Sequence, residues 1–292
     1  MKLTIKFLLS AFVALVFSVT SFAQITTSSL GGQITESSGV PAVGVAVVAT
    51  HQPSGTVYGA VTNAEGRYAI QGMRVGGPYS VEISCLGFQT VTYTDIVLQL
   101  GEQYALNSAI QESSELIAEA LVIASPVSKF STEKTGAATN ISRQQMENLP
   151  TISRSITEIT KLSPYGGSGM SFVGTDGRTA NFTVDGANFN NNFGLSSSLP
   201  GGGSPISIDA IEEVQVVISP YDVRQTNFIG GGVNAITKSG TNTFKGSAYV
   251  YHRNENMRGN AVDGKEIAGA RNRDRTTTYG ATLGGPIVKN KL

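Results

Sequence analysis

Short runs in which apolar and polar residues alternate, each bounded by turn residues, constrain this chain more than any other feature. Residues 43–49, 57–62, 67–70 and 79–85 are such runs, and Asn, Gly and Pro lie between them. A period of two sends successive side chains to opposite faces of a strand, so that one face can be buried. Runs of this kind at spacings of about ten residues indicate an antiparallel β-sandwich.

Composition narrows the function classes. The chain has 292 residues, with 21 Lys and Arg against 21 Asp and Glu, two His and one Cys. Zero net charge without a basic stripe argues against nucleic-acid binding, which needs a positive surface. One Cys excludes a disulfide framework and a Cys-rich zinc site. No nucleophile–base pair, metal cluster or cofactor loop is visible, so we expect no enzyme and no cofactor.

Residues 1–23 have the pattern of an export signal. Lys2 and Lys6 precede an almost wholly apolar run, residues 7–19, and Ala23 ends a small-residue site before Gln24. The run is shorter than the roughly 20 apolar residues of a transmembrane helix. We therefore expect cleavage before Gln24 and export to an oxidising compartment.

Residues 24–111 are predicted to form the β-sandwich. The run 57–62 is expected to pair with 67–70 across the turn 63–66, and Tyr79, Val81, Ile83 and Cys85 share one apolar face. Cys85 is thus expected to pack as a core hydrophobe. The segments 32–35 (GQIT), 40–45 (VPAVGV), 62–68 (TNAEGRY) and 86–88 (LGF) resemble the carboxypeptidase regulatory-like domain. The resemblance implies a transthyretin-like sandwich without peptidase activity.

Residues 112–128 read as a linker that contains a short apolar run before Pro126. This run resembles a TonB box, the segment that an outer-membrane receptor offers to the energy-coupling protein TonB. Recognition of that kind is strand addition, which reads main-chain groups more than side chains. The alternatives are a last strand of the sandwich or an ordinary linker. The expected TonB contacts are Glu119, Ala120, Leu121, Val122, Ile123, Ala124 and Ser125.

Residues 129–239 combine helical and strand patterns and are expected to form an α/β module. Helical spacing covers residues 141–149, and a second amphipathic helix has its apolar stripe at Ile152, Ile156, Ile159 and Leu162. Its solvated side is expected to carry Arg154, Glu158 and Lys161. Strands are predicted at 181–184, 211–219 and 233–238, with a turn at Asp185 and Gly186.

The order of these pieces resembles the plug domain of TonB-dependent receptors, most closely the Oar-like receptors of Bacteroidetes. The motif segments are 148–150 (NLP), 182–186 (FTVDG), 211–216 (IEEVQV) and 231–240 (GGVNAITKSG), together with Asp176, Gly177 and Arg178. Asp185 is more typical of a turn than of a ligand. The Asn-rich loop, with Asn188, Asn190, Asn191 and Asn192, is either a substrate-facing loop or a solvated turn.

Residues 240–292 are predicted to begin a transmembrane β-barrel. Residues 244–251 and 278–283 alternate apolar and polar side chains, and a charged loop separates them. Two strands cannot close a barrel, and open edges in lipid leave backbone groups unpaired. The expectation is therefore an N-terminal fragment of a larger protein.

Taken together, the resemblances imply an outer-membrane TonB-dependent receptor with its sandwich and the start of its plug in the periplasm. The implied fold is multi-domain: an all-β transthyretin-like sandwich, an α/β plug and the first strands of a truncated transmembrane β-barrel. The implied partners are the TonB complex, outer-membrane lipid and an unidentified substrate, with a surface lipoprotein left open. One rival is a secreted β-sandwich adhesin or binding module, and another is a surface signal transducer.

Overall fold

The structure is a computed structural model that describes residues 25–112, 121–124, 137–149, 154–190, 199, 205–220, 225–259, 261–266 and 272–289. The chain forms two compact units: one runs to Lys238, and the other begins at Ser239 and takes in Pro53–Gly55. Within the described ranges, no helix has both the length and the apolar character to cross a bilayer. The predicted export signal lies outside the described residues.

The first part of the larger unit is a two-sheet sandwich. One sheet has the strand order β3-β2-β5-β6-β9, and the other has the order β4-β1-β7, with β8 also paired to β1. The strands are β1 (Ser28–Glu36), β2 (Ala46–His51), β3 (Thr56–Val61), β4 (Arg67–Met73), β5 (Gly76–Ser84), β6 (Val91–Leu98), β7 (Gln103–Ala105), β8 (Ser108–Ile110) and β9 (Leu121–Ala124).

The sandwich core follows the predicted alternation. Tyr79, Val81 and Ile83 are fully buried between the sheets, while the residues between them along β5 are more exposed. Cys85 continues the same face and packs against the core as a half-buried free thiol. The apolar face predicted for β5 is confirmed. A strand with one solvent-facing side directs every second side chain to the core, and this removes the apolar side chains from water.

The predicted hairpin of residues 57–62 with 67–70 is wrong. The turn exists, since the Asn63 N–H donates to the Arg67 carbonyl at 2.9 Å. The strands on either side of it nevertheless belong to different sheets, because β3 pairs with β2 and β4 pairs with β1. Thr62 forms the corner: its buried hydroxyl donates to the Ala42 carbonyl and accepts from the Val45 N–H, which holds the chain where it changes sheet.

The second part of the larger unit, here called the central module, is a mixed five-stranded sheet with two short helices. Its strand order is β10-β13-β14-β11-β12, with β11 parallel to β14 and the other pairs antiparallel. The elements are β10 (Ala137–Ser142), α1 (Arg143–Asn148), α2 (Ile156–Ile159), β11 (Asn181–Val184), β12 (Ala187–Asn188), β13 (Ile211–Ser219) and β14 (Gly232–Thr237).

The helices are shorter than the sequence pattern predicts. Ile141 belongs to β10, and α1 begins only at Arg143, where the Ser142 N–H donates to the Gln145 side chain at 3.0 Å. Ile156 and Ile159 are buried as predicted, whereas Leu162 is 42% exposed at the end of a 3-10 turn. Ile152 lies outside the described residues.

The prediction that Arg154 lies on the solvated side of a helix is wrong. Its φ of 49° places it before the helix, and its half-buried guanidinium pairs with Asp209 at 2.5 Å. The ion pair links the start of α2 to the 3-10 turn that leads into β13. The spacing of Arg154 from Glu158 suggested that both lie on one helix face, but the helix begins two residues after Arg154, at Ile156.

The smaller unit is built on a long antiparallel pair, β15 (Lys245–Arg253) and β18 (Thr276–Gly284), as the alternation predicts. A second hairpin of β16 (Ala261–Val262) and β17 (Lys265–Glu266) lies in the connection between them. The pairs Ala248 with Ala281 and Val250 with Tyr279 put apolar residues on one face. Ser247 and Thr282 face each other on the other side, with their hydroxyls 2.6 Å apart.

Candidate functional site

The TonB-box-like segment forms β9 in its described part. Leu121–Ala124 pairs in parallel with β6, in the register Val91 with Leu121 through Thr94 with Ala124. Glu119, Ala120 and Ser125 lie outside the described residues. The pairing is the last-strand alternative that the sequence left open, and it uses the main-chain groups through which strand addition works. The predicted TonB contact itself stays a prediction.

The strand that β9 joins has a bulge just beyond the paired segment. Val81 pairs with Tyr93, but Tyr79 pairs with Ile96, so β6 carries one extra residue at this point. Asp95, which lies within this stretch, has a φ of 62°. A bulge of this kind bends a strand and interrupts its regular edge. The last described pair of β6 with β9 is at Thr94, the residue before the bend.

The Asp176–Arg178 segment is an exposed, self-contained turn. Asp176 caps a 3-10 turn, with its carboxylate accepting from the Arg178 backbone N–H at 2.9 Å. The Arg178 guanidinium donates to the same carboxylate at 2.8 Å, and these bonds lower the pKa of the Asp176 carboxyl. Gly177 lies against the backbone of Met170 and Ser171, where a side chain has little room. The motif therefore shapes the chain before β11.

Asp185 and Gly186 form the predicted turn. Both have positive φ, 48° and 82°, and join β11 to β12 as a two-residue hairpin loop. Asp-Gly suits this turn because both positions tolerate the left-handed region. The Asp185 carboxylate also accepts from Thr237, at 2.9 Å from the backbone N–H and 2.6 Å from the hydroxyl. It thereby fixes the end of β14 to the turn.

The described part of the Asn-rich loop is bound to the sheet. The Asn190 side chain accepts from the Phe182 N–H at 2.6 Å and donates to the Asn181 side chain at 2.8 Å. The Asn188 side chain accepts from the Asn190 N–H at 2.8 Å. Asn191 and Asn192 lie outside the described residues. Both described amides are used in holding the loop, and a role in substrate contact stays a prediction.

Two polar residues of β13 form a contact that the sequence did not reveal. Glu213 and Gln215 are only 4% and 2% exposed. The Glu213 carboxylate accepts from the Leu100 N–H at 3.0 Å, and the Gln215 amide donates to the Leu100 carbonyl at 2.5 Å. Leu100 lies in the loop between β6 and β7 and is fully buried. We call this arrangement the Leu100 clamp; it joins the sandwich to the central module.

Neighbouring contacts reinforce the Leu100 clamp. The Asn140 amide of β10 donates to the Glu102 carboxylate at 3.1 Å. Ile25, Val75 and Leu100 form a small buried cluster against which Ile236 of β14 packs. The signal in the sequence was the Glu-Glu-Val-Gln order in an otherwise apolar strand. Alternation alone assigns such polar residues to solvent, so it could not reveal a second domain on that face.

Titratable groups that could bind a metal do not cluster in the described part of the chain. His51 is buried on the Tyr79 ring, with the ring centroids 4.8 Å apart. Burial and the nearby Arg74 charge lower the pKa of the His51 imidazole. This histidine is thus held neutral in the sandwich, consistent with a role in packing.

Comparison with known proteins gives matches at both ends of the chain. Residues 29–111 match the carboxypeptidase regulatory-like domain, and residues 236–292 match an outer membrane beta barrel domain. The chain is 26% identical over 294 aligned residues to the TonB-dependent transporter Oar of Myxococcus xanthus, and the alignment covers 95% of this chain. The chain spans about a quarter of that relative, 27% of its length.

These matches confirm the resemblance to a TonB-dependent outer-membrane receptor with an N-terminal carboxypeptidase regulatory-like domain. The curated relative is a transporter, which agrees with the prediction that the chain is not an enzyme. The observed fold is mostly β, with an N-terminal sandwich and a barrel-like pair of strands.

Solved structures give weaker likenesses. The siderophore receptor PirA from Pseudomonas aeruginosa is 18% identical, with 53% of this chain and 26% of that chain covered and a TM-score of 0.39. A cohesin–X-dockerin complex from Acetivibrio cellulolyticus is 19% identical, with 31% and 61% covered and a TM-score of 0.24. Scores this low do not define a common fold.

Proposed function

We propose that this chain is the N-terminal part of a TonB-dependent outer-membrane receptor, which takes up a substrate through a plugged β-barrel. The observation that carries the proposal is the alignment of 95% of the chain with 27% of a TonB-dependent transporter. The outer-membrane barrel match over residues 236–292 supports it. The smallest closed membrane barrels have about eight strands, so the β15–β18 pair would need many further strands.

In this proposal each segment has one task. Residues 1–23 direct export, residues 24–111 form the periplasmic sandwich, and residues 112–128 link it to the plug. Residues 129–239 are the plug, and residues 240–292 begin the barrel. The mixed sheet and two helices of the central module support the plug assignment, since they follow the order of the plug motifs.

The proposed TonB contact is the segment from Glu119 to Ser125. TonB binding by strand addition requires an extended backbone, and Leu121–Ala124 already has an extended conformation. Asp176, Arg178 and Asp185 are proposed to shape the plug, because their hydrogen bonds close turns. Substrate contact is assigned to the Asn-rich loop, with the class of substrate left open.

Strand addition gives the proposal a matched test. Val122→Pro in the full-length receptor removes a backbone donor and restricts the chain, whereas Val122→Ala removes only side-chain bulk. We expect the proline variant to lose binding to the purified C-terminal domain of TonB, and the alanine variant to keep it. Equal binding by the two variants would contradict recognition through the main chain of this segment.

Transport supplies a second readout. Deletion of residues 119–125 from the full-length receptor should abolish energised uptake while surface binding of the substrate remains, because the deletion leaves the outer face untouched. Unchanged uptake would contradict the role of the segment. The secreted adhesin alternative accounts for the sandwich but not for the barrel match over residues 236–292.

A further inference from the structure

We propose that removal of the export signal lets the sandwich close onto the central module, because the residues that then begin the mature chain are part of the contact between them. This inference goes beyond transport and rests on one part of the proposed function, the cleavage before Gln24. In that step a signal peptidase hydrolyses the Ala23–Gln24 bond with one water, which leaves a carboxylate on Ala23 and an amino group on Gln24. Gln24 lies outside the described residues, and the contacts that support the inference begin at Ile25.

Ile25, the second residue after the predicted cleavage site, lies between the sandwich and the central module. Its exposed fraction is only 5%. It forms a buried cluster with Val75 and Leu100 of the sandwich, and Ile236 of β14 packs against this cluster. Ile25 also lines a small cavity together with Asn234 of β14. The start of the mature chain therefore borders both modules.

The next residues of the chain hold the loop of the Leu100 clamp. The Thr27 carbonyl accepts from the Gly101 N–H at 3.2 Å. The Ser28 hydroxyl donates to the Glu102 carbonyl at 2.8 Å. Both of these loop residues come directly after Leu100 in the chain. The N-terminal segment thus sets the position from which Leu100 presents its N–H and carbonyl to β13.

Loss of this support would weaken the contact as a whole. Leu100 is fully buried, and its N–H and carbonyl are bonded to Glu213 and Gln215. A shifted loop would break these bonds, and main-chain groups that stay buried without a partner are costly. Packing of Ile25 and closure of the Leu100 clamp therefore depend on each other.

Before cleavage, the export signal is expected to keep Ile25 close to a membrane. The apolar run of residues 7–19 enters the membrane, and only the five residues 20–24 connect it to Ile25. A segment of this length spans at most about 18 Å when it is fully extended. A folded module of about 100 residues has a radius of gyration of about 13 Å. Two such modules have too little space to enclose a residue that is held so close to the bilayer, so cleavage precedes closure.

An insertion behind the cleavage site tests whether the contact needs a short N-terminus. In the full-length receptor, a run of about ten Gly and Ser residues between Gln24 and Ile25 leaves the cleavage site intact and gives the mature protein a flexible extension. The matched control carries the same run between Ser38 and Gly39, in an exposed turn of the sandwich. Hydrogen exchange of residues 99–102 reports on the Leu100 clamp, and hydrogen exchange of β5 reports on the fold of the sandwich.

We expect residues 99–102 to exchange at least about tenfold faster in the extended receptor than in the parent, because polar main chain next to Ile25 would be buried without partners. Exchange in the control should match the parent, and β5 should be equally protected in all three receptors. Equal exchange of residues 99–102 in all three would overturn the inference and leave the receptor assignment standing. Mass spectrometry of the N-terminal peptide checks the cleavage: a mature parent that retains residues 1–23 would overturn the predicted export signal and the inference with it.

A point substitution tests the same contact without an extension. Ile25→Ala removes most of the buried side chain, and we expect about tenfold faster exchange of residues 99–102. The matched control is Thr27→Ala, because Thr27 is exposed and its carbonyl, which bonds the loop, is unchanged. This control should exchange like the parent. Equal exchange in the two variants would overturn the role of Ile25 in the contact.

Discussion

The sandwich and the β15–β18 pair use the same alternation of apolar and polar residues, with opposite outcomes. In the sandwich, Val81 and Ile83 turn toward a second sheet and are fully buried. In the β15–β18 pair, Val250, Tyr279 and Leu283 share one face and remain exposed, Leu283 at 86%. Alternation thus specifies which side of a strand is apolar, but the solvent or partner on that side decides the fold.

The difference has a physical consequence. Burying apolar surface contributes roughly 25 cal/mol for each Å² removed from water. In the sandwich, the strands between residues 28 and 110 bury their apolar side chains against one another. The apolar face of the β15–β18 pair would instead be buried against lipid in a closed barrel. Substitutions that place a charge on each face therefore distinguish a water-facing strand pair from a membrane-facing one.

The largest expected effect lies in the sandwich core. Ile83→Arg places an unpaired charge where no solvent reaches, and we expect a loss of about 3–5 kcal/mol in the free energy of unfolding. Val57→Arg, at a position that is 61% exposed on β3, should change it by less than about 0.5 kcal/mol. Urea denaturation of the two variants measures the contrast. Equal losses would contradict the assigned core.

The next effect sharpens the membrane assignment. Leu283→Arg in the full-length receptor should cost about 2–4 kcal/mol if the residue faces the middle of the bilayer, while Thr282→Arg, on the opposite face, should cost far less. Folding into lipid vesicles, followed by electrophoretic mobility with and without heating, measures both. A larger cost at Thr282 would reverse the two faces.

The Leu100 clamp gives a smaller expected effect. Glu213→Ala removes the acceptor of the buried Leu100 N–H and should destabilise the contact between sandwich and central module by about 1–3 kcal/mol. The neighbouring Glu212 has a partly exposed side chain, and Glu212→Ala should cost less than about 0.5 kcal/mol. Limited proteolysis of the loop around Leu100 in each variant reports the loosening; equal cleavage would contradict the clamp.

Structural features that depend only on local sequence patterns could be predicted from the sequence. Hydrophobic periodicity and turn chemistry predict three features: the apolar face of β5, the paired strands near residues 244–251 and 278–283, and the Asp185–Gly186 turn. Pairings between distant segments do not. β3 and β4 belong to different sheets because Thr62 forms a corner, and a turn dipeptide carries no information about which sheet each strand joins.

The candidate site shows the same limit. Main-chain pairing of β9 with β6 leaves no side-chain pattern, so the sequence could only offer it as an alternative. Glu213 and Gln215 look like solvent-facing residues of an alternating strand, and only the position of Leu100 shows why they are buried. The role of a residue that contacts a second domain depends on a surface that lies outside its own segment.

The smallest expected effect comes from His51, which is buried in the sandwich. The pKa of His51 is lowered in the folded sandwich, so the unfolded chain binds the proton more readily. Stability from this residue is therefore complete above about pH 6.5 and falls as the pH drops through the range below it. His51→Phe should reduce the acid loss. Thermal unfolding from pH 7.5 to 5 measures this; an unchanged acid loss in His51→Phe would contradict the account.

The most direct test of the receptor assignment is the location and extraction behaviour of the native protein in cells of its source. The account predicts that it sediments with the outer membrane, is released only by detergent, and migrates faster on a gel before heating than after, as folded membrane barrels do. Recovery of the protein from the periplasm or the medium without detergent would contradict the receptor and favour a secreted sandwich module.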